Sequence, residues 1–297
     1  MNKFLERLNG GEILVADGAT GSNLQKMGLK AGQAPEDLII DNPDILLELE
    51  SRFVKAGSDI ILTCTFGGTR MRMKDSKYQG RAPEVNVRAV ELARKAAAAS
   101  GRTDVLIAGS MGPVGGLIKP YGPLEADEVK ATFTEQAKAL TEGGADLLVI
   151  ETMFAFEETT AAFEGAKSVT DLPIVVSFSY DRGTRSMMGV KPKDVIKRYT
   201  EMGANVIGAN CGTTLENMEA IITEYSKTVP NFPMWAKPNA GIPRMDIQTE
   251  QAIYDMGPED MASFAKKYIA LGAKIVGGCC GSTPEHVAAI AKAVKNN

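Results

Sequence analysis

Short runs of apolar, often β-branched residues recur along the chain and alternate with longer segments of helical spacing. Apolar runs of this length are typical of parallel strands that are buried on both faces. Segments such as PEVNVRAVELARKAAAAS repeat apolar residues at the spacing of an amphipathic helix. Eight runs are predicted to be strands: ILVADG (13–18), DIILTCTF (59–66), VLIAGSMG (105–112), LLVIET (147–152), IVVSFS (174–179), NVIGANC (205–211), MWAKPN (234–239) and KIVGGCC (274–280).

A weak internal repeat supports this alternation. AGSDIIL, GGADLLV, MGANVIG and LGAKIVG each place a glycine at the end of a predicted helix and then begin an apolar strand. Glycine is favoured there because it adopts the left-handed backbone of a helix C-terminus at little cost. Eight strand and helix units predict an α/β fold, a single (β/α)8 TIM barrel domain over residues 1–297, with a doubly wound sheet as the main competitor.

Two further expectations concern the segment before the first strand and the segment after the seventh strand. The helix that precedes the first strand should be short or absent. The long segment GIPRMDIQTEQAIYDMG (241–257) follows the seventh strand and should lie over the mouth of the barrel.

Composition and charge argue against several classes of protein. The chain has 297 residues, with 33 Lys and Arg against 37 Asp and Glu. No basic cluster follows one helix, which argues against nucleic acid as a partner. No segment offers about 18 uncharged apolar residues, and the N-terminal segment lacks a signal-peptide core, so a cytoplasmic protein without a membrane span is expected. Four cysteines in so long a chain are more typical of buried, catalytic or metal-binding thiols than of a disulfide scaffold.

The chemistry should lie at the carboxyl ends of the strands, where barrel enzymes place their active sites. Three of the four cysteines fall there. The polar and thiol residues at these ends are Asp17, Thr65, Ser110, Glu151, Ser179, Cys211, Asn239, Cys279 and Cys280.

The adjacent pair Cys279 and Cys280 can share one metal ion with Cys211 only beyond the end of the strand. Consecutive side chains on a strand point to opposite faces, and the glycines that flank the pair permit the required turn. Three thiolates suit Zn²⁺ and leave a fourth position open for water or substrate. Buried reduced cysteines or a vicinal disulfide are the alternatives.

Four motifs carry a resemblance to a known family: ADGATGS, VIET, GANC and GGCCGSTPEH. Together they resemble the homocysteine S-methyltransferase family, zinc-dependent barrels that include betaine-homocysteine methyltransferase and the N-terminal module of cobalamin-dependent methionine synthase. The resemblance extends from about residue 10 to residue 294. It implies a methyltransferase that moves a methyl group from an external donor to the thiol of homocysteine and gives methionine.

The resemblance also implies roles for individual residues. Cys211, Cys279 and Cys280 would hold Zn²⁺. Asp17 and Glu151 would bind the amino group of homocysteine, with turn-capping acids as the alternative. The backbone of Gly18 would lie beside the substrate.

Asn239 in KPNAG resembles the asparagine that occupies the open zinc position in the methionine synthase module before substrate arrives. Its alternative role is that of a turn residue before Gly241. The betaine enzymes carry a tyrosine after their TFTF segment, whereas this chain has Gly67 after TCTF. This difference disfavours betaine as the donor.

The methyl donor is expected to come from outside the barrel. All eight predicted strands belong to one barrel, and the corrinoid-binding pattern DxHxxG is absent because the only histidine, His286, lies in PEHVAA. Methylcobalamin, free or carried by a separate corrinoid protein, is favoured. S-methylmethionine and betaine remain alternatives, as do other thiol or selenol acceptors.

Other functions are weighed against this one. Lys237 could form a Schiff base, as in barrel aldolases, although a paired lysine is the simpler interpretation. The chain could also be a non-catalytic module that binds thiols or a metal. Cys64 is placed inside the second strand and is expected to be a core residue, and His286 is expected to be structural at the start of the last helix.

Overall fold

The computed structural model describes residues 2–30, 32–212, 214–246 and 252–295. Within these ranges eight parallel strands form one sheet, and each predicted run overlaps one of them. The strands are β1 Leu14–Val15, β2 Ile60–Leu62, β3 Leu106–Met111, β4 Leu147–Met153, β5 Ile174–Phe178, β6 Val206–Asn210, β7 Met234–Lys237 and β8 Ala273–Val276.

The sheet closes on itself. Each strand pairs with its neighbour in sequence from β2 to β8, and β8 pairs with β1, so that Leu14 lies opposite Ile275. The first and second strands complete the ring, because the backbone N–H of Asp59 donates to the carbonyl oxygen of Val15 at 2.6 Å and that of Asp17 to Ile60 at 3.0 Å. The predicted (β/α)8 barrel is therefore confirmed, since a doubly wound sheet would keep two open edges.

Helices surround the strands on the outside. The first is short, as expected, and a two-stranded hairpin, Arg244–Met245 with Ala252–Ile253, lies in the segment after β7. In the described ranges no helix is both long and apolar enough to span a bilayer. The helices are α1 Lys3–Asn9, α2 Thr20–Lys26, α3 Leu38–Asp41, α4 Pro43–Lys55, α5 Ala82–Ala99, α6 Ala126–Glu142, α7 Phe156–Lys167, α8 Pro192–Glu201, α9 Leu215–Thr228, α10 Pro258–Ala270 and α11 Pro284–Lys295.

Two hydrophobic layers enclose the strands. One fills the interior of the barrel with alternate strand residues such as Leu147, Val149 and Trp235, and Phe4 and Leu8 of α1 pack into the same layer. The other lies between the strands and the outer helices. Because both faces of each strand are buried, the strands are almost continuously apolar, and polar side chains are concentrated at the carboxyl ends.

Candidate metal and substrate site

A cavity of about 790 Å³ opens at the carboxyl ends of the strands, within the size range of small-molecule sites. Its walls include Glu151, Lys237 and the three cysteines of the predicted metal site. Loops that follow β1, β2 and β3 form the rest of the wall. The barrel therefore brings residues from distant parts of the sequence into one chamber.

The three predicted ligands meet there as free thiols. The Cys211 Sγ lies 2.8 Å from the Cys279 Sγ and 3.5 Å from the Cys280 Sγ, and all three sulfurs lie within 4.8 Å of one another. Cys211 directly follows β6 with a φ of 55°, a left-handed conformation that is rare outside glycine. Cys279 and Cys280 lie beyond the end of β8, where the extended backbone has ended. A vicinal disulfide is absent.

This donor set fits a zinc ion. Tetrahedral Zn²⁺ with Zn–S bonds of about 2.3 Å separates its sulfur ligands by about 3.8 Å, which these three thiols reach with small rotations. Without a cation the thiols share protons. Hydrogen bonds that the Cys211 thiol donates to Cys279 and Cys280, together with burial, raise the pKa of Cys211 well above its ordinary value, whereas hydrogen bonds that Cys280 accepts from Cys211 and Cys279 lower the pKa of Cys280 to about 3. A bound cation would allow all three to be thiolates.

Asn239 lies beside the cysteine pair. The backbone N–H of Cys279 donates to the carbonyl of Pro238 at 2.7 Å, and that of Ala240 donates to the carbonyl of Cys280 at 2.9 Å. The Asn239 side chain is only 7% exposed, and its Oδ1 has no hydrogen-bond partner among the described residues. Leaving a buried acceptor unpaired costs about 1–3 kcal/mol, and this oxygen is therefore available to a bound group.

Asp17 is not a free carboxylate. Its Oδ1 lies 2.6 Å from the Lys237 Nζ, its Oδ2 accepts a hydrogen bond from the Leu62 N–H at 2.7 Å, and both charged side chains are only 3% exposed. Burial would lower the pKa of Lys237, but the charges of Asp17 and Glu151 raise it on balance. A lysine held protonated in this way is a poor nucleophile, which disfavours the Schiff-base alternative.

Among the described residues, Glu151 forms hydrogen bonds only with neutral donors. The Ser110 hydroxyl donates to its Oε1 at 2.6 Å, and the Asn210 Nδ2 donates to its Oε2 at 3.3 Å. Burial raises the pKa of Glu151 to about 7, although the charge of Lys237 acts in the opposite direction. A cationic group that arrives in the cavity would therefore favour the ionised carboxylate.

Gly18 also lies on the cavity wall. A Cβ at this position would approach the Phe53 ring at 2.7 Å and the Ser282 hydroxyl at 2.9 Å, so only glycine fits. Contact between its backbone and a substrate remains a prediction.

Two residues of the site were missed by the sequence analysis. Asn210 bonds to Thr152, Ser177 and Glu151 and lies 3.8 Å from the Cys279 Sγ. Its position before Cys211 at a strand end was the available signal. Tyr254 hydrogen-bonds to Cys280 and packs its ring against Gly281, and nothing in its loop sequence indicates this.

Three further expectations from the sequence concern Cys64, His286 and the segment 241–257. Cys64 lies two residues beyond β2 rather than inside the strand, because the strand pairing ends at Leu62, yet it is a buried core residue as expected. His286 accepts from the Thr283 N–H at 3.1 Å and contacts the Met256 carbonyl at 2.9 Å, which is a structural role. In the segment 241–257, residues 247–251 lie outside the described ranges, and Tyr254 places the following part against the cysteine pair.

Comparison with known proteins identifies the family to which the chain belongs. The family profile described as "Homocysteine S-methyltransferase" matches residues 14–294. Methionine synthase of Mycobacterium leprae is 29% identical over 95% of this chain and 24% of its own length, and that of Mycobacterium tuberculosis is 28% identical over 96% and 25%. The chain thus spans about a quarter of the length of these relatives.

Solved structures show the same fold. The metallated form of the homocysteine methyltransferase MmuM from Escherichia coli aligns with a TM-score of 0.82 at 24% identity, covering 98% of this chain and 99% of that one. A methyltransferase from Methanosarcina mazei aligns at 0.63 and 13% identity, covering 99% and 97%. Because the family profile covers nearly the whole chain, the chain belongs to the homocysteine S-methyltransferase family.

Proposed function

We propose that this chain is a zinc-dependent methyltransferase that moves a methyl group from an external donor to the thiol of homocysteine, giving methionine. The observation that carries the proposal is the arrangement of three convergent thiols beside the buried Glu151 carboxyl in one cavity, with the buried Asp17 carboxyl bonded to Lys237 of the cavity wall. The family and its methionine synthase relatives support the same reaction.

Cys211, Cys279 and Cys280 would hold the metal, and the Asn239 amide oxygen would hold the fourth position before substrate arrives. Zn²⁺, when bound, supplies a Lewis acid that lowers the pKa of the substrate thiol. Asn210 and Tyr254 hydrogen-bond to the cysteines and orient them. Glu151 would receive the substrate ammonium, and Asp17 would add a second negative charge nearby.

The reaction needs a donor whose methyl group can reach the cavity. The substrate sulfur attacks that methyl carbon, an S–C bond forms, and the donor leaves with the electron pair of the broken bond. Burial of the carboxylates and thiols keeps bulk water from competing with the sulfur.

The mouth of the cavity favours a large donor. In the described ranges, the large apolar side chains that are exposed all lie on loops that follow barrel strands, and none lies on the outer helices. We call this set the apolar rim. Exposed apolar residues that are concentrated on one face of a protein are typical of an interaction surface. The rim consists of Phe66, Tyr121, Met187, Ile242, Met245 and Ile253.

The residues of the cavity wall also favour a large methyl donor. Sulfonium and betaine donors are held by aromatic cages, and in the described chain Phe66 is the only aromatic residue on the wall. One ring does not make a cage. These observations support methylcobalamin on a separate corrinoid protein as the donor, and free thiols of this kind persist in the reducing cytoplasm, where we place the reaction.

Metal analysis under reducing conditions tests the zinc site. We expect one Zn²⁺ per chain in the wild type, loss of that metal in Cys211→Ser, and no loss in the matched control Cys64→Ser, whose thiol lies in the core. A zinc content unchanged by Cys211→Ser would refute the site.

A donor comparison tests the reaction. Homocysteine is supplied with methylcobalamin, with S-methylmethionine or with glycine betaine, and methionine is measured. Turnover with methylcobalamin is expected. Turnover with a small onium donor alone would overturn the donor assignment, and binding of homocysteine without turnover by any donor would favour the non-catalytic module.

A further inference from the structure

Building on the proposed function, we infer that the Lys237 ammonium binds the α-carboxylate of the amino-acid thiol, while Glu151 binds its ammonium. Lys237 thereby selects α-amino acids over simple thiols. The inference concerns a residue whose position at a strand end had suggested either Schiff-base chemistry or an ion pair.

The first step is the unused hydrogen-bonding capacity of Lys237. Its side chain ends β7, is only 3% exposed and lies on the cavity wall. An ammonium group has three N–H donors. One of them bonds to the Asp17 Oδ1 at 2.6 Å, and no other acceptor contacts the Nζ among the described residues. Two donors therefore remain for a ligand in the cavity.

The second step concerns which of the two carboxyl groups is free to bind the substrate ammonium. Both oxygens of Asp17 already accept hydrogen bonds, one of them from a cation. Glu151 contacts only the neutral Ser110 and Asn210 side chains. A substrate ammonium would compete with Lys237 at Asp17, whereas at Glu151 it supplies the missing positive charge. Glu151 is thus the better ammonium site.

The third step is the charge that the substrate carboxylate meets. The thiols, Asp17 and Glu151 all repel it, so a cation must offset them. The cationic side chains on the described wall are Arg72, Lys74 and Lys237. Arg72 and Lys74 belong to an outer turn, Arg72–Asp75, after β2. Lys237 alone lies at a strand end.

The fourth step is the spacing of the two substrate charges. In an α-amino acid the ammonium and the carboxylate are attached to the same carbon, so their partners must be neighbours. The Lys237 carbonyl accepts a hydrogen bond from the Cys211 N–H at 3.2 Å, and Asn210, which pairs with Lys237 in the sheet, donates to the Glu151 Oε2 at 3.3 Å and lies 3.8 Å from the Cys279 Sγ. Lys237 is therefore a close neighbour of both Glu151 and the cysteines. A ligand whose sulfur reaches the cysteines can therefore place its carboxylate at Lys237 and its ammonium at Glu151.

Binding to the zinc-loaded protein tests the inference without any methyl donor. The dissociation constants of homocysteine and of 3-mercaptopropylamine, which lacks only the carboxylate, are measured by calorimetry. A charge-assisted hydrogen bond predicts that the wild type binds homocysteine about 10- to 100-fold more tightly. In Lys237→Met this ratio should fall to about 1, because only homocysteine loses affinity.

Matched variants distinguish the loss of carboxylate binding from the effect of an unbalanced buried charge. Lys74→Met, which removes an outer cavity lysine, should keep the wild-type ratio. The double variant Asp17→Asn with Lys237→Met removes both charges of the buried ion pair and should fold even if the single variant does not, again with a ratio of about 1. Equal losses for both thiols in the Lys237 variants, or no preference in the wild type, would overturn the inference.

The same data distinguish this inference from the proposed function. A wild-type protein that prefers homocysteine through Lys237 but forms no methionine supports the carboxylate site and refutes the reaction. A protein that methylates homocysteine and 3-mercaptopropylamine equally well, with equal affinities, supports thiol methylation and refutes the role of Lys237.

Discussion

Asn210→Ala is expected to destabilise the protein far more than a typical surface substitution, because this one amide connects three strand ends. Its Oδ1 accepts from the Thr152 N–H at 3.0 Å and from the Ser177 hydroxyl at 2.6 Å. Its Nδ2 donates to the Thr152 hydroxyl at 2.7 Å and to Glu151 at 3.3 Å. Alanine removes these four bonds and the longer 3.8 Å contact with the Cys279 Sγ, and it leaves buried partners unpaired.

The magnitude follows from these contacts. Each of the three neutral hydrogen bonds contributes about 1 kcal/mol, and the bond to Glu151 adds about 1.5–3 kcal/mol when that carboxyl is ionised. Incomplete additivity among neighbours brings the expected loss in unfolding free energy to about 3–5 kcal/mol. For a chain of this length that corresponds to a decrease in Tm of about 5–8 °C.

Urea unfolding followed by circular dichroism measures the change, and Asn205→Ala is the matched control. Asn205 precedes the same strand, and its Oδ1 accepts one hydrogen bond, from the Ile174 N–H at 2.9 Å. We expect the control to lose about 1 kcal/mol. If Asn210→Ala loses no more than Asn205→Ala, then the four bonds at Asn210 do not stabilise the site as argued.

Two further predictions address burial and backbone fit. Burial raises the pKa of Glu158 to about 7 from an ordinary 4.5, so the stability of the wild type should decline as pH rises between these values. In urea titrations, the unfolding free energy of Glu158→Gln should match that of the wild type near pH 4.5 and exceed it by about 3 kcal/mol at pH 8. A difference that does not change with pH would contradict this. Gly281→Ala would place a Cβ 2.1 Å from the Tyr254 ring at a φ of 81°, and thermal unfolding should show a loss of stability of about 1–3 kcal/mol. The control Gly21→Ala, which has open space around its Cβ in α2, should be neutral or stabilising. Similar Tm values for the two variants would be inconsistent with this packing.

The sequence by itself determined the barrel and the three cysteines that converge at its mouth. Strands buried between an inner and an outer apolar layer must be almost continuously apolar, so they are visible as runs in a single sequence. Where such a run ends, the first polar or thiol residues mark the mouth of the barrel. Cys211, Cys279 and Cys280 could be located in this way, because their position depends on where each strand stops.

Only the tertiary structure decided which polar groups pair. Asp17 and Lys237 are 220 residues apart and meet because closure of the barrel brings β1 close to β7 across β8. The four bonds of Asn210 and the contact of Tyr254 with Cys280 arise in the same way, from strands and loops that are distant in sequence. A hydrophobic pattern records how deeply a residue is buried, but hydrogen bonds and ion pairs depend on distances of about 3 Å, which only the closed barrel sets.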